Sequence, residues 1–157
     1  MEYLIAKWLH VLSSTVLFGT GIGSAYYMLF TSLTRDPRPV ASVVRFVVIA
    51  DWVFTTTTII VQPATGLWMA HLAKLPLTTP WIFWSFVLYF VAGACWLPVV
   101  WLQIRMRDMA ALAVREGAPL PRRYFDYLKV WTALGVPAFV ALVVVFWLMI
   151  AKPSFQG

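Results

Sequence analysis

Four apolar runs of membrane-spanning length constrain this chain more than any other feature. They cover roughly Tyr3–Thr31, Ser42–Ala73, Pro80–Ile104 and Val130–Ala151. A transmembrane helix needs about 20 mostly apolar residues, and each run reaches that length. The composition agrees, because 62% of the 157 residues are hydrophobic and only 11% are charged, against about a quarter charged in soluble domains. The sequence predicts an integral membrane protein with one domain over 1–157.

The connections between the runs are short, and short connections make neighbouring helices antiparallel. The proline-rich segment 33–39 is expected to form a turn that starts no helix of its own. After the third run, the segment 105–116 keeps helical propensity while it gains charge, and Gly117 then ends the helix. We therefore predict an all-α, four-transmembrane-helix antiparallel bundle, with helices at about 3–31, 42–73, 80–116 and 124–151.

Basic residues lie mostly on one side of the predicted bundle. Nine of the twelve flank the connections after the first and third helices: Arg35, Arg38, Arg45, Arg105, Arg107, Arg115, Arg122, Arg123 and Lys129. Only Lys7, Lys74 and Lys152 lie at the other ends. Cytoplasmic loops of membrane proteins are enriched in lysine and arginine. The pattern predicts a multi-pass protein of the bacterial inner membrane with both termini outside, and a lipid bilayer rather than nucleic acid as its partner.

His10 and His71 are the two histidines of the chain. Neutral imidazole can ligate haem iron or a transition metal from a helix wall, and an antiparallel bundle brings both toward one membrane face. They are the candidate metal and cofactor ligands, although about 5–10 Å separates their depths. Met69 is another candidate, because thioether sulfur also binds haem iron. Alternatively, His10 hydrogen-bonds to a neighbouring helix and His71 faces lipid headgroups.

Asp51 is the acidic residue that lies well inside a predicted span. A carboxylate at that depth is a candidate for moving protons or for holding the charge of a substrate. The alternative is a structural ion pair with Arg105 or Lys129.

Small residues in the first helix indicate a face that another group can approach closely. Gly19 and Gly23 form a G-x-x-x-G face, which lets another helix or a flat macrocycle approach the backbone. Helix packing, including a homodimer through this face, and cofactor binding are both open interpretations.

Prolines interrupt three of the four predicted spans. They free backbone carbonyls one turn earlier, because proline has no N–H to donate. Pro63, Pro98 and Pro137 act in this way on Ile59, Ala94 and Ala133. A freed carbonyl can hold a water, an ion or a substrate, and a packing kink is the alternative.

Several enzyme classes lack their characteristic residues here. The sequence has no pattern typical of a hydrolase triad, a metalloprotease helix or a nucleotide-binding loop. Cys95 is the single cysteine, which excludes a disulfide framework and a cysteine-based metal site within the chain.

The stretch Ala6-Lys7-Trp8-Leu9-His10, followed by Phe18-Gly19-Thr20-Gly21, resembles the first helix of the HemJ-type protoporphyrinogen oxidases. A Thr/Pro/Gly segment at 58–66 is also similar to that family. The resemblance implies a helical membrane protein that binds haem b, with His10 as the key histidine and Lys7 as its accompanying lysine. The family's Trp-x-His-x-Lys and Asn-Glu-x-Pro segments have no counterpart here, so the resemblance implies haem binding rather than the porphyrinogen oxidase reaction.

Over nearly all its length, the chain also resembles a family of small bacterial integral membrane proteins of unknown function. The sequence hypothesis is a haem b-binding redox protein with an unknown electron donor or acceptor. Its candidate catalytic residues are Lys7 and Asp51, and its candidate cofactor ligands are His10, His71 and Met69. A non-catalytic membrane accessory or assembly protein and a small metal or solute transporter are the alternatives.

Overall fold

The computed structural model describes residues 1–153 and consists of four long helices. They are α1 (Glu2–Leu33), α2 (Pro37–Leu72), α3 (Pro80–Glu116) and α4 (Arg122–Ala151). Each is long and apolar enough to cross a membrane, and residues 1–153 contain no strand. The predicted all-α fold with four membrane-length helices is confirmed.

The second helix begins at Pro37 rather than near residue 42. The prediction that segment 33–39 starts no helix was therefore wrong. Proline suits the first turn of a helix, because its fixed φ matches the helix and its missing N–H has no intrahelical partner there. Asp36 caps this turn, since its carboxylate accepts a hydrogen bond from the backbone N–H of Arg38 at 3.0 Å.

α2 changes its winding in the middle. Asp51–Thr55 form a π-helical turn between two α-helical parts, Pro37–Ala50 and Thr56–Leu72. Single π turns are rare and are frequent at functional sites. We refer to Thr56–Leu72 as the distal half of α2.

The apolar core fills the half of the bundle near residues 34–36 and 117–121, which we call the basic end. Side chains from all four helices form one buried cluster there, including Met28, Val40, Val44, Met106, Tyr124 and Leu128. The hydroxyl groups of Ser32 and Tyr124, 2.7 Å apart, link α1 to α4. The opposite end carries both termini of the described chain, and we call it the termini end.

Large apolar side chains cover the outside of the bundle. Trp8, Ile60, Phe90, Trp147 and Ile150 are all exposed. In water such a surface would be an aggregation hazard, whereas lipid tails solvate it well. The outer surface therefore matches the membrane-spanning length of the helices.

Candidate functional site

A cavity of about 490 Å³ lies between the four helices at the termini end. Ligand pockets in proteins measure about 300–1,000 Å³ and combine apolar walls with a few convergent polar groups. Apolar side chains from three helices supply much of this wall, among them Val11, Phe18, Ile82, Leu142, Val145 and Met149. The cavity is therefore the candidate ligand site of the molecule.

His10 lies in the wall of this cavity, on α1. Its imidazole Nδ1 lies 2.9 Å from the hydroxyl oxygen of Thr65 on the distal half of α2. The predicted hydrogen bond from His10 to a neighbouring helix is thus present. It uses only one of the two ring nitrogens.

The Thr65 hydroxyl has a single hydrogen and three acceptors within hydrogen-bond distance. They are the backbone carbonyls of Val61 at 2.7 Å and Gln62 at 3.1 Å and the ring nitrogen Nδ1 of His10 at 2.9 Å. When the hydrogen goes to a carbonyl, the hydroxyl oxygen accepts from the Nδ1–H of His10, and the Nε2 of neutral imidazole carries the lone pair. Metal-binding histidines use that arrangement, with the second ring N–H held by a fixed acceptor.

Two further α2 residues hold α1 at the level of His10. The side-chain amide of Gln62 donates to the backbone carbonyl of His10 at 3.0 Å. The ring also lies against the backbone of Gly66, where an added Cβ would come to 3.4 Å from His10 Cε1, the near limit of ordinary van der Waals contact. Gln62, Thr65 and Gly66 share one face of α2 because they are spaced by three and four residues. The sequence analysis did not assign them to a site, although this polar stripe in an apolar helix was a readable signal.

Two lysines line the same cavity toward the termini end. Lys7 lies one helical turn before His10 on the same face of α1. Lys152 follows α4, and its ammonium group lies 5.7 Å from the centre of the Trp81 ring. The sequence predicted Lys7 as a functional residue and did not predict Lys152. The arrangement gives the cavity an apolar body and a positively charged end.

The structure does not bring His10 and His71 together. Met69 lines the cavity with His10, whereas His71 is exposed and does not line it. The two α2 residues point about 200° apart around the helix, so only one of them can face a given site. The structure therefore places Met69 in the same cavity as His10 and leaves His71 at the surface, as in the headgroup-facing alternative.

Asp51 belongs to a different part of the molecule. It lies about 16 Å along α2 from Gln62 at 1.5 Å per residue, and it does not line the cavity. Its carboxylate accepts a hydrogen bond from the Thr55 hydroxyl at 2.8 Å, and the side chain of Gln103 faces the same carboxylate. All three residues are buried, and Gln103 Oε1 has no partner within the described residues.

The predicted ion pair of Asp51 with Arg105 or Lys129 was wrong. The Arg105 guanidinium lies over the Trp101 ring at 5.5 Å, and Lys129 pairs with Asp126 of its own helix at 3.7 Å. Both cations are directed elsewhere because an aromatic ring or an acid lies within reach on their own helices. Asp51 is left with polar, uncharged partners.

Gly19 and Gly23 do not contribute to the cavity. They line a separate groove between α1 and α2, together with Tyr27, Phe46 and Phe54. A Cβ added at either glycine would meet nothing within 4 Å, so no helix of the described chain packs closely on this face. Within residues 1–153 the G-x-x-x-G motif neither lines the cavity nor makes a close packing contact.

The carbonyl freed by Pro63 has a protein partner. The Tyr89 hydroxyl of α3 donates to the backbone oxygen of Ile59 at 2.9 Å. This bond joins α3 to the distal half of α2 near the inner limit of the cavity, which Tyr89 also lines. This carbonyl therefore links two helices, a use that neither of the two alternatives had named.

The family model DUF2269, described as a predicted integral membrane protein, matches residues 4–153. The chain belongs to that family. The DUF2269 match extends over all four helices and the whole cavity, and it identifies the chain as an integral membrane protein. No curated protein and no solved structure matches the chain.

Proposed function

We propose that this DUF2269 protein binds haem b in the cavity at the termini end, where His10 would hold the iron, and serves as a redox protein of the membrane. One observation carries the proposal. The Nδ1 of His10 lies 2.9 Å from the Thr65 hydroxyl oxygen, and with the proton on Nδ1 the Nε2 lone pair is available to a metal. A buried imidazole prepared in this way is suited to a metal.

The other groups of the cavity fit the same cofactor. Haem b combines a flat apolar macrocycle with two carboxylates on one edge. The apolar wall fits the macrocycle, while the ammonium groups of Lys7 and Lys152 at the termini end fit the carboxylates. Met69 supplies a thioether in the same cavity, and this side chain is a second candidate ligand.

The protein's own contribution follows from these contacts. Bound haem supplies one-electron chemistry. His10 sets the ligand strength through its hydrogen bond to Thr65, and Gln62 fixes the α1 backbone beneath it. Asp51 takes no part in holding the cofactor, and its proposed proton handling belongs to the separate cluster with Thr55 and Gln103.

A non-catalytic accessory protein is the second candidate. The bonds from Gln62 to the His10 carbonyl and between His10 and Thr65 join α1 to α2. A protein that needed only helix pairing could use them without any cofactor. On this account the cavity would be filled by lipid.

We infer the orientation from charge. The basic end carries nine of the twelve lysines and arginines, so we propose that it faces the cytoplasm of a bacterium and that the cavity opens toward the outer side of the inner membrane. Haem would then lie in the outer leaflet. An impermeant thiol reagent applied to intact spheroplasts tests this, with Lys74→Cys and Glu116→Cys, both at exposed positions, compared in a Cys95→Ser background.

Haem content is the test that separates the two candidates. The chain is expressed with excess haem precursor, purified in detergent, and analysed by the pyridine haemochrome assay. The proposal predicts stoichiometric haem b in folded protein. A folded, monodisperse preparation without haem, which also fails to bind added haemin, would support the accessory protein instead.

A further inference from the structure

The bundle consists of two helix pairs that are separated at the termini end. α1 packs along the distal half of α2, and α3 packs along α4 over most of its length. At the basic end, the first part of α2 packs against α3 and joins the pairs. Toward the termini end the described chain has little backbone contact between them, and the cavity occupies the space.

Few contacts cross this cleft, and they lie at its floor. Phe18 of α1 contacts Phe139 and Phe146 of α4, with ring centres 5.4 and 5.3 Å apart. On the other side, Tyr89 of α3 donates its hydrogen bond to Ile59 of α2. Two aromatic pairs make a weak link between the helices.

Each helix carries an irregular or flexible element on the basic-end side of the cleft floor. They are Gly19–Gly23 on α1, the π turn Asp51–Thr55 on α2, Pro98 on α3 and Pro137 on α4. At about 1.5 Å per residue, the nearest position of each lies about 1.5 Å beyond Phe18, about 6 Å beyond Ile59, about 13 Å beyond Tyr89 and about 3 Å beyond Phe139, which are the residues of the floor contacts. Proline, glycine and π turns are the usual sites of helix bending. We call this zone, within about 14 Å of the floor contacts, the hinge level of the bundle.

The two sides of the cleft differ in how they are closed. Residues 73–79 join α2 to α3 at the termini end, so that side is covalently tied. In the described chain nothing joins α1 to α4 at this end, and the Phe18 contacts are the aromatic closure between them. The side between α1 and α4 is therefore the easier one to open, and it faces lipid.

We propose that the cavity takes its ligand sideways from the bilayer, between α1 and α4, as the α1/α2 pair separates from the α3/α4 pair about the hinge level. The ligand class is a membrane-dissolved amphiphile with an apolar body and an anionic end. The apolar wall accepts the body directly from lipid, and Lys7 and Lys152 receive the anionic end at the depth of the headgroups. The identification of this ligand as haem rests on the proposed function, whereas the route rests on the fold.

Spin-label distances test the opening. Cysteines at the exposed positions Trp8 and Trp147 report on the termini end, and cysteines at the exposed positions Phe30 and Val130 report on the basic end. Both pairs are made in a Cys95→Ser background and measured by pulsed electron resonance in lipid nanodiscs, with and without haemin. We expect a broad distance distribution at the termini end that narrows and shortens by about 2 Å or more with haemin, a typical size for closure on a ligand. The basic-end pair should not change.

A cross-link tests the route. A short bismaleimide joins Phe18→Cys to Phe146→Cys, whose native rings are 5.3 Å apart. The control joins Arg35→Cys to Phe125→Cys at the basic end, where the native separation is also 5.3 Å. We expect the first cross-link to block haemin transfer from liposomes and the control cross-link to leave the transfer rate unchanged.

The outcomes distinguish this inference from the proposed function. If haemin binds but both cross-linked proteins load at equal rates, the lateral route is overturned while haem binding stands. If haemin never binds, the proposed function fails, and the spin-label distances still test the hinge. A broad distance distribution at the termini end together with a narrow one at the basic end supports the hinge, whereas two narrow distributions overturn it.

Discussion

The imidazole Nδ1 of His10 lies 2.9 Å from the hydroxyl oxygen of Thr65, across the interface between α1 and α2. Because two backbone carbonyls of α2 also lie within reach of the Thr65 hydrogen, we expect the Thr65 oxygen to accept from the Nδ1–H of His10 and so to orient the ring. Thr65 is thus a positioning residue for the proposed iron ligand.

Replacing Thr65 by valine should weaken haemin binding by about 10–100-fold, the usual effect of removing the group that orients a metal-binding histidine. Valine keeps the shape of threonine and removes the acceptor oxygen. Thr65→Ser keeps the oxygen and should bind as the wild type does. Haemin titration followed by absorbance provides the measurement, and equal affinities for the valine and serine variants would contradict the assigned role.

The tautomer of His10 can be observed without any cofactor. The chain has only two histidines, so ¹⁵N-histidine NMR of the haem-free protein gives two sets of ring signals, and His71→Ala assigns them. At a pH where His10 is neutral, we expect its proton on Nδ1. A proton on Nε2 would mean that Thr65 donates to the ring, which would contradict the proposed role of Nε2 as the metal-binding atom of His10.

The two cavity lysines should recognise carboxylates. We expect Lys7→Met and Lys152→Met to weaken binding of haemin, because each removes a charge-assisted hydrogen bond to a carboxylate. The same variants should bind haemin dimethyl ester as well as the wild type does. Lys74→Met is the matched control, since Lys74 lies at the same end but does not line the cavity. A uniform loss for haemin and its ester would instead indicate damage to the fold.

Asp51 should contribute to stability through hydrogen bonding rather than through an ion pair. Asp51→Asn keeps an acceptor for the Thr55 hydroxyl and should unfold close to the wild type. Asp51→Ala leaves buried polar groups of Thr55 and Gln103 without this partner and should cost about 1–3 kcal/mol. Thermal unfolding in detergent measures both. An asparagine variant as unstable as the alanine variant would point to a cation that the carboxylate needs.

Much of the fold followed from hydropathy alone. The four helices were predictable because a membrane helix requires a long apolar run, whatever its packing. The start of α2 at Pro37 was missed because proline breaks a helix in its interior yet favours the first turn. The sequence did contain a signal for this helix start, namely Asp36, which caps the first turn.

The candidate site was predicted only in part. His10, Lys7 and Met69 were predicted and do line one cavity, whereas His71, Gly19, Gly23 and Asp51 lie elsewhere. Depth along a helix can be counted from the sequence, but rotation about its axis cannot when both faces are apolar, since one face then meets lipid and the other meets protein. The partners of Asp51 were missed for a related reason. The rotation of α2 turns its carboxylate toward the uncharged side chains of Thr55 and Gln103 rather than toward the expected cations.

The central claim is that His10, and not His71, holds haem iron. Two matched variants, His10→Ala and His71→Ala, are expressed with excess haem precursor, and their absorption spectra are compared with that of the wild-type protein. We predict a haem Soret band in the wild type and in His71→Ala and its loss in His10→Ala. No Soret band in the wild type, or an unchanged band in His10→Ala, would contradict the account.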